Sequence, residues 1–391
     1  MKLQMLKRAL IAYVSNSVKA IWSAVAHPLT IVGSKNGNVK NYRIYGNSVR
    51  DGVPTPDTPV EIQSVGDYDD ATGKYKVLIE VRGKNYFDRD KVPFSNNTTK
   101  PYNNGLKAEK VSATNRGDKI SIDLPVGKTI YLSLDVVDSK IAGTATRVTM
   151  DFLNSASTRV RTQAITSTIA HKTYSFTLSE EVKYIQFYFQ SASASNAVGD
   201  YVTMDNIMFR TEGEDVWEPY VEPQRVDLYL DEPLILMHYT KDFADYIDSE
   251  KNAVARYCFQ EVYDGTEAWG LVEGTTSRFF KRIKVARSVL CSHYKTAGSV
   301  GTDSTIVANY SARVFIEDSR FTTVEEFKSY LAEQASSGTP VTALFLDYNA
   351  WNGNPTVMPI ELPTLPQFEG TTTYEVMTDV SPGGMEIQYY G

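Results

Sequence analysis

Cysteine and histidine are scarce in this sequence, and their scarcity limits the chemistry that the protein can perform. The 391 residues include two cysteines and four histidines, too few cysteines for a disulfide-stapled secreted scaffold. The sequence also lacks an H-E-x-x-H motif, a nucleophile elbow and a phosphate-binding glycine loop. The sequence therefore contains no recognisable motif for a hydrolytic or nucleotide-dependent mechanism. We predict no catalytic residue, no enzyme activity and no cofactor.

These few residues suggest one metal site. In "CSHY", Cys291 and His293 are two positions apart, so on a strand both would face the same way, and His238 and Cys258 would complete four zinc ligands. The other spacings match no compact ligand pair. Two buried thiols are the better interpretation, so we predict no metal, while the spacing leaves open whether the two cysteines pair.

Long hydrophobic runs are missing as well. The N-terminal stretch, residues 1–28, is interrupted by Ser15, Asn16, Ser17 and Lys19, whereas a membrane-spanning helix needs about 20 apolar residues in succession. We therefore predict no membrane span. The apolar residues of this stretch recur in steps of three and four, which is the period of an amphipathic helix: Leu3, Leu6, Leu10, Val14, Val18, Ile21 and Val25.

This predicted N-terminal helix would end at His27-Pro28, because a residue before proline is displaced from the α region. Its apolar stripe requires a partner, and we favour self-association or docking onto another protein of the same assembly. Packing against its own domain is one alternative. A signal peptide or a helix lying on a membrane surface is the other.

Positive charge is not in excess. The formal net charge is -7 and the sequence pI is about 5.3, which argues against a protein held to nucleic acid by phosphate contacts. One basic cluster occurs in "FFKRIKVAR", where Lys281, Arg282, Lys284 and Arg287 are close together. A solvated strand face is the favoured interpretation of this cluster, and an anion site is the alternative.

Aromatic residues and alternating patterns, in contrast, are abundant. The chain has 25 tyrosines and 16 phenylalanines, and from Lys119 onward short runs alternate apolar and polar residues between turn signals. Such runs without intervening helices predict an antiparallel β-sandwich. The inward residues are expected to be Ile120, Ile122, Leu124, Ile130, Leu132, Leu134, Val148, Met150, Phe152, Tyr174, Phe176, Leu178, Ile185, Phe187 and Phe189.

The outward side of the run "KYIQFYFQ" is the candidate binding surface. It presents Tyr184, Gln186, Tyr188 and Gln190, and Asp151 is out of phase with the core of its own run. Sugars bind such surfaces, because a pyranose stacks its C–H face on an aromatic ring while amides and carboxylates bind its hydroxyls. Thr149, and also Ser133 and Asp135, are out of phase with the core in the same way and are candidate neighbours of this surface. A wet outer face without a ligand is the alternative interpretation.

The whole chain is predicted to be mainly β and to consist of four segments. These are a docking or oligomerisation helix at 1–28, a small proline-rich β collar at 29–75, a jelly-roll β-sandwich at 76–222, and a C-terminal β-rich domain at 223–391 with one helix near 323–336.

The collar contains "VPTPDTPVEI", in which three closely spaced prolines enforce an extended and rigid backbone. We expect a short strand pair beside it, in which Tyr42 and Ile44 face Val60, Ile62 and Val65.

The C-terminal helix is predicted from "TTVEEFKSYLAEQASSG". Thr322 or Thr323 can cap it, Glu325 or Glu326 can close a capping box, and Gly338 can end it. Its buried side is expected to contain Val324, Phe327 and Leu331.

Several stretches resemble one family in the same order along the chain. "NYRIYGNSVRDGVPTPDTPVEIQSVGD" is similar to a signature near the start of minor structural proteins from tails and baseplates of phages of Gram-positive bacteria. "RGKNYFD" and "WEPYV" resemble the beginning and the exit of that family's carbohydrate-binding-module-like jelly roll. "DYIDSEKNAVAR", the late helix and the terminal "PIELPTLPQFEGTTTYEVMTDVSPGGMEIQYYG" resemble its later segments. Two loop-level departures are Tyr86 in place of leucine and the "PGGM" turn.

The resemblance covers residues 39–391 and implies a structural and adhesive function. It implies a virion protein of the tail tip, baseplate or a fibre, made in the host cytoplasm, homo-oligomeric with a trimer favoured, and in contact with host cell-wall polysaccharide. A head fibre or capsid decoration protein, and a connector that binds no receptor, remain alternatives. No catalytic residue carries over.

Overall fold

The computed structural model describes residues 35–389 except 37–38, 94–98, 114–115, 143–146, 190–195, 212–213, 238–240, 309–310 and 378–383. The prediction of a mainly β chain is confirmed. The predicted N-terminal helix, with its stripe from Leu3 to Val25, lies outside the described residues. Among the residues that are described, no helix is long and apolar enough to cross a bilayer.

The strands are numbered in chain order. They are β1 (Lys35–Asn36), β2 (Val39–Tyr45), β3 (Ser48–Arg50), β4 (Ile62–Ser64), β5 (Asp67–Asp69), β6 (Lys74–Gly83), β7 (Thr99–Tyr102), β8 (Gly105–Glu109), β9 (Arg116–Leu124), β10 (Thr129–Lys140), β11 (Arg147–Leu153), β12 (Arg159–Thr166), β13 (Ala170–Thr177), β14 (Val182–Tyr188), β15 (Tyr201–Arg210), β16 (Gln224–Leu230), β17 (Tyr246–Asp248), β18 (Ala253–Arg256), β19 (Cys258–Tyr263), β20 (Gly270–Leu271), β21 (Arg278–Cys291), β22 (Lys295–Thr296), β23 (Thr305–Val307), β24 (Ser311–Glu317), β25 (Val341–Asp347), β26 (Thr356–Pro359), β27 (Thr371–Met377) and β28 (Gly384–Tyr389).

Helices are few among the residues that the structure describes. They are α1 (Val324–Ser336) and the one-turn α2 (Tyr348–Trp351), with short 3-10 turns at Arg89–Lys91 and Lys241–Phe243.

The middle of the chain is sandwich-like. One antiparallel sheet has the order β13-β10-β15-β8-β7 and a second has the order β12-β11-β14-β9. Both contribute to a single hydrophobic core, and the inward residues predicted from the alternation are buried in it, except that Tyr174 is half-buried at its margin. The period-2 pattern therefore identified the inward phase of these strands correctly.

The predicted strand pair of the collar is wrong. Tyr42 and Ile44 are in β2, which pairs with β17 on one side and β28 on the other, so that Ile44 is opposite Ile247. Ile62 pairs instead with Arg50, in the small β3–β4 ladder. A strand with two neighbours buries Tyr42 and Ile44 better than a two-stranded hairpin would, and both partners come from distant parts of the chain.

Strands from the two ends of the chain share sheets. One sheet has the order β1-β27-β6-β16, with β5 also on β6, and another has the order β26-β18-β17-β2-β28. Together they enclose a core that includes Ile79, Leu228, Val254 and Tyr374. The four segment boundaries stay predictions, and hydrogen bonding across them is extensive.

A larger sheet with the order β19-β25-β21-β24-β23-β22, and β20 on β21, carries α1 on one side. The predicted helix is confirmed, with Thr323 and Glu326 forming the capping box. Phe327 and Leu331 are fully buried, and Phe327 stacks on Phe279 with ring centroids 4.3 Å apart. The apolar stripe of α1 therefore covers this side of the sheet.

Candidate functional site

The predicted binding residues come together on the outer side of the β12-β11-β14-β9 sheet. β11 and β14 are antiparallel neighbours, and their register places Asp151 directly opposite Gln186. Tyr188 is opposite Thr149, and Tyr184 is opposite Leu153. Because alternate residues share a side of a strand, Tyr184, Gln186, Tyr188 and Asp151 form one surface, which we call the tyrosine face.

The centre of the tyrosine face is buried and hydrogen-bonded. Asp151 is 3% exposed and Gln186 is 8% exposed. The Asp151 carboxylate accepts a 2.6 Å hydrogen bond from Thr162 and lies 3.8 Å from Nη1 of Arg159. The amide nitrogen of Gln186 donates to the carbonyl oxygen of Gly117 at 2.6 Å. These bonds fix the positions of both side chains before any ligand arrives.

The two tyrosines lie on either side of this centre and are half-buried. Each ring has a cation near it: Arg116 is 5.8 Å from the centroid of Tyr188, and Nζ of Lys119 is 5.6 Å from the centroid of Tyr184. Lys119 also donates to the Ser157 hydroxyl at 2.6 Å. The face thus combines two flat rings, a central amide and carboxylate, and flanking cations.

Ser133 and Asp135 do not lie beside the tyrosine face. They are in β10, which belongs to the opposite sheet of the sandwich, because the chain changes sheets between β10 and β11. Thr149 and Asp151 are in β11 and thus in the sheet of Tyr184 and Tyr188, and Gln190 lies outside the described residues.

Asp135 belongs to a different polar group, which we call the histidine cluster: His171, Asp135, Asp215 and Arg210. Nδ1 of His171 is 2.7 Å from Asp135 and Nε2 is 3.1 Å from Asp215. Arg210 lies 3.3 Å from Asp215. The cluster connects β10, β13 and β15 to the segment that leaves the sandwich.

The cluster shifts the pKa values of His171 and Asp215. Hydrogen bonds to Asp135 and then to Asp215 raise the pKa of His171, because they favour the charged imidazolium. Burial alone would raise the pKa of Asp215, but hydrogen bonds from Ser133 and His171 and the charge of Arg210 lower it. The cluster therefore favours a charged histidine between two carboxylates.

Sequence reasoning placed Asp135 beside the tyrosine face and missed its contact with His171, and it did not single out Asp215 or Arg210. Asp135 and His171 are cross-strand neighbours in the β10–β13 ladder. That register joins strands that are not consecutive in sequence, and no local pattern specifies it. The signal that the sequence offers for His171 is weak: it shares the outward phase of its run with Ser175.

The zinc hypothesis gains no support from the described residues. Cys258 and Cys291 are both buried free thiols, so they do not pair. His293 is buried, with Nδ1 2.8 Å from the Ser292 hydroxyl, and His238 lies outside the described residues. No group of three or more His, Cys, Asp or Glu side chains in the part of the chain that the structure describes is arranged to hold a metal ion.

Two members of the basic cluster of β21 contact other side chains, and the other two are exposed to solvent. Lys281 forms a 2.7 Å ion pair with Glu261, and the Arg287 guanidinium stacks 3.6 Å from the centroid of Trp351. Arg282 and Lys284 are exposed. The anion site that was the alternative interpretation of this cluster stays a prediction.

Comparison with models of known protein families gives no match, and a search of curated protein sequences finds no significant relative.

Proposed function

We propose that this chain is a structural protein of a phage virion, in the tail tip, the baseplate or a fibre, and that its β-sandwich attaches the particle to a host glycan. The resemblance of residues 39–391 to minor structural proteins of phages of Gram-positive bacteria supports the virion assignment. The observation that carries the binding function is the in-register tyrosine face, with Tyr184 and Tyr188 on either side of Gln186 and Asp151.

In this proposal the sandwich is a jelly roll of the carbohydrate-binding-module kind, and it acts without catalysis. The two tyrosine rings stack against the apolar faces of sugar rings, and the central amide and carboxylate bind their hydroxyls. Because internal hydrogen bonds already hold Gln186 and Asp151, little side-chain entropy is lost when a glycan binds.

The proposed partners follow from the same assignment. Residues 1–28 dock onto other virion proteins, the chain is a homo-oligomer with a trimer favoured, and the sandwich contacts host cell-wall polysaccharide. The protein is made in the host cytoplasm and ends in the virion. No nucleic acid, metal or cofactor has a part in this function.

A purely structural connector is the second candidate. The observation that favours it is that Asp151 and Gln186 are occupied by protein partners, so the face is also stable without a ligand. A head fibre or capsid decoration protein would place the same modules elsewhere on the particle.

The experiment is a binding assay of the full chain on an array of bacterial cell-wall polysaccharides. The double variant Tyr184→Ala/Tyr188→Ala should lose about tenfold in affinity for each ring removed. Tyr102→Ala/Tyr229→Ala is the matched control, because both of these tyrosines are 40% exposed and lie on other sheets. If the wild-type chain binds no polysaccharide, the glycan-binding proposal is wrong and the structural connector is the better assignment.

A further inference from the structure

The tyrosine face has a local excess of positive charge on an otherwise acidic chain. Arg116 is the strand partner of Tyr188, Lys119 of Gln186 and Arg159 of Leu153, so all three cations flank the face. Arg147 is on the same strand and in the same phase as Asp151. All four cations are exposed, whereas the whole chain has a formal net charge of -7.

The acidic groups near this face do not cancel the cations. Asp151 is buried, accepts a hydrogen bond from Thr162 and lies 3.8 Å from Arg159, so it offsets part of the charge of that one cation. Asp123 and Glu181, at the far end of the strands, both pair with Lys183 at 3.1 Å. Arg116, Lys119 and Arg147 therefore remain exposed cations beside the two rings, whereas the nearby Asp123 and Glu181 are engaged by Lys183.

The arrangement of rings and cations repeats along the strand. Tyr184 and Tyr188 are four residues apart, which corresponds to about 13 Å along β14. At each of these positions a ring has a cation within 6 Å, Lys119 at one end and Arg116 at the other. A sugar stacked on either tyrosine would thus present its substituents to an ammonium or guanidinium group.

From this geometry we propose that the face binds an anionic polysaccharide, one whose sugars or linkers carry carboxylate or phosphate groups. This inference rests on the proposed function, since it names the class of glycan that the tyrosine face takes. The rings bind the sugar, and the four flanking cations bind its acidic groups by charge-assisted hydrogen bonds. Because these cations are exposed, added salt weakens their contribution, with a screening length of about 8 Å at physiological ionic strength.

Three probes separate the sources of negative charge: polygalacturonate for carboxylates, poly(glycerol phosphate) for phosphodiesters, and neutral dextran. The full chain should bind at least one acidic polymer about tenfold more tightly than dextran, and about 0.5 M salt should remove that preference. Equal affinity for all three polymers, unchanged by salt, overturns the anionic preference and leaves the proposed glycan binding intact. Failure to bind any polysaccharide on the array overturns both.

The variant Arg116→Gln/Lys119→Gln should lose about tenfold in affinity for the acidic polymer. Arg282→Gln/Lys284→Gln removes the same two residue types from the exposed part of β21 and should change binding by less than about twofold. An equal loss in both variants would mean that binding follows overall charge, which overturns the site. Duplex DNA that binds as tightly, with the same dependence on Arg116 and Lys119, would overturn the choice of a polysaccharide.

Discussion

Nη1 of Arg320 donates a 2.7 Å hydrogen bond to Oδ1 of Asp57, joining two residues 263 positions apart. Asp57 lies in the proline-rich stretch of the collar, and Arg320 lies just before α1. The neighbouring carbonyl of Pro56 accepts a 2.9 Å bond from the Tyr330 hydroxyl on α1. The backbone N–H of Val60 donates to Ser292 at 2.8 Å. The stiff segment is therefore fastened along its length to the C-terminal sheet and its helix.

Loss of the Tyr330 hydroxyl should loosen this attachment without disturbing the core. Tyr330→Phe leaves the Pro56 carbonyl without its donor and should cost about 1 kcal/mol. Hydrogen exchange of peptides that cover residues 53–62 should then accelerate by about fivefold. Tyr68→Phe, which removes the hydroxyl of a tyrosine that is 58% exposed, is the control and should leave these peptides unchanged. Equal exchange in wild type and Tyr330→Phe would show that the bond does not hold the segment.

The histidine cluster should titrate abnormally. Hydrogen bonds to Asp135 and Asp215 raise the pKa of His171 above its ordinary value of 6.5 in the folded state. The contribution of His171 to stability is therefore complete below about pH 6.5 and is lost as the pH rises through its higher folded-state pKa.

An NMR titration of the histidine ring protons measures this shift. Asp135→Asn removes the larger of the two causes, so the pKa of His171 should fall toward the ordinary value. His293 is the internal control, because burial lowers its pKa and it follows β21, which belongs to a different sheet, so its titration should not change. A His171 pKa that is the same in wild type and Asp135→Asn would contradict the cluster.

The sequence predicted local features better than distant pairings. Alternation over seven to ten residues identified the inward phase of the sandwich strands, because burial on one side of a strand imposes a period of two. The same logic placed Tyr184, Gln186 and Tyr188 on one outer side. Assigning the residues of one strand to its two sides therefore required no knowledge of the fold.

Pairings between distant strands were not predictable in this way. The β2 strand was expected to pair within the collar and pairs with β17 and β28 instead. Alternation marks both Ser133 and Tyr184 as outward residues, but it does not show that they lie on different sheets. The sheet that a strand joins depends on where the chain crosses from one sheet to the other. The register that brings Asp151 opposite Gln186 likewise depends on packing of the whole sandwich.

The N-terminal segment should determine the oligomeric state. The predicted apolar stripe from Leu3 to Val25 requires a partner, and self-association would bury it. We expect light scattering to report an oligomer, with a trimer favoured, for the full chain and a monomer after residues 1–27 are removed. An unchanged mass would exclude self-association through this segment. The matched control is Leu10→Ser/Val14→Ser, which keeps the segment and its charge while interrupting the stripe.

Breaking the buried pair of Asp245 and Arg256 should cost more stability than breaking an exposed ion pair. The Asp245 carboxylate is fully buried, lies 3.0 Å from Nη1 of Arg256 and accepts backbone hydrogen bonds from Tyr257 at 2.7 Å and Cys258 at 2.9 Å. Asp245→Ala leaves the guanidinium and both N–H groups without this partner and should lower the free energy of unfolding by about 3 to 5 kcal/mol.

Urea denaturation of two further variants tests whether the carboxylate itself is responsible. Asp245→Asn keeps an oxygen for the N–H groups of Tyr257 and Cys258 but removes the charge, so its loss of stability should be intermediate. Asp231→Ala breaks the exposed pair with Lys74, where the aspartate side chain is 86% exposed, and should cost no more than about 0.5 kcal/mol. Asp245→Ala and Asp231→Ala with the same transition midpoint would mean that the buried pair does not stabilise the fold, because a buried charge deprived of its partner has to be costly.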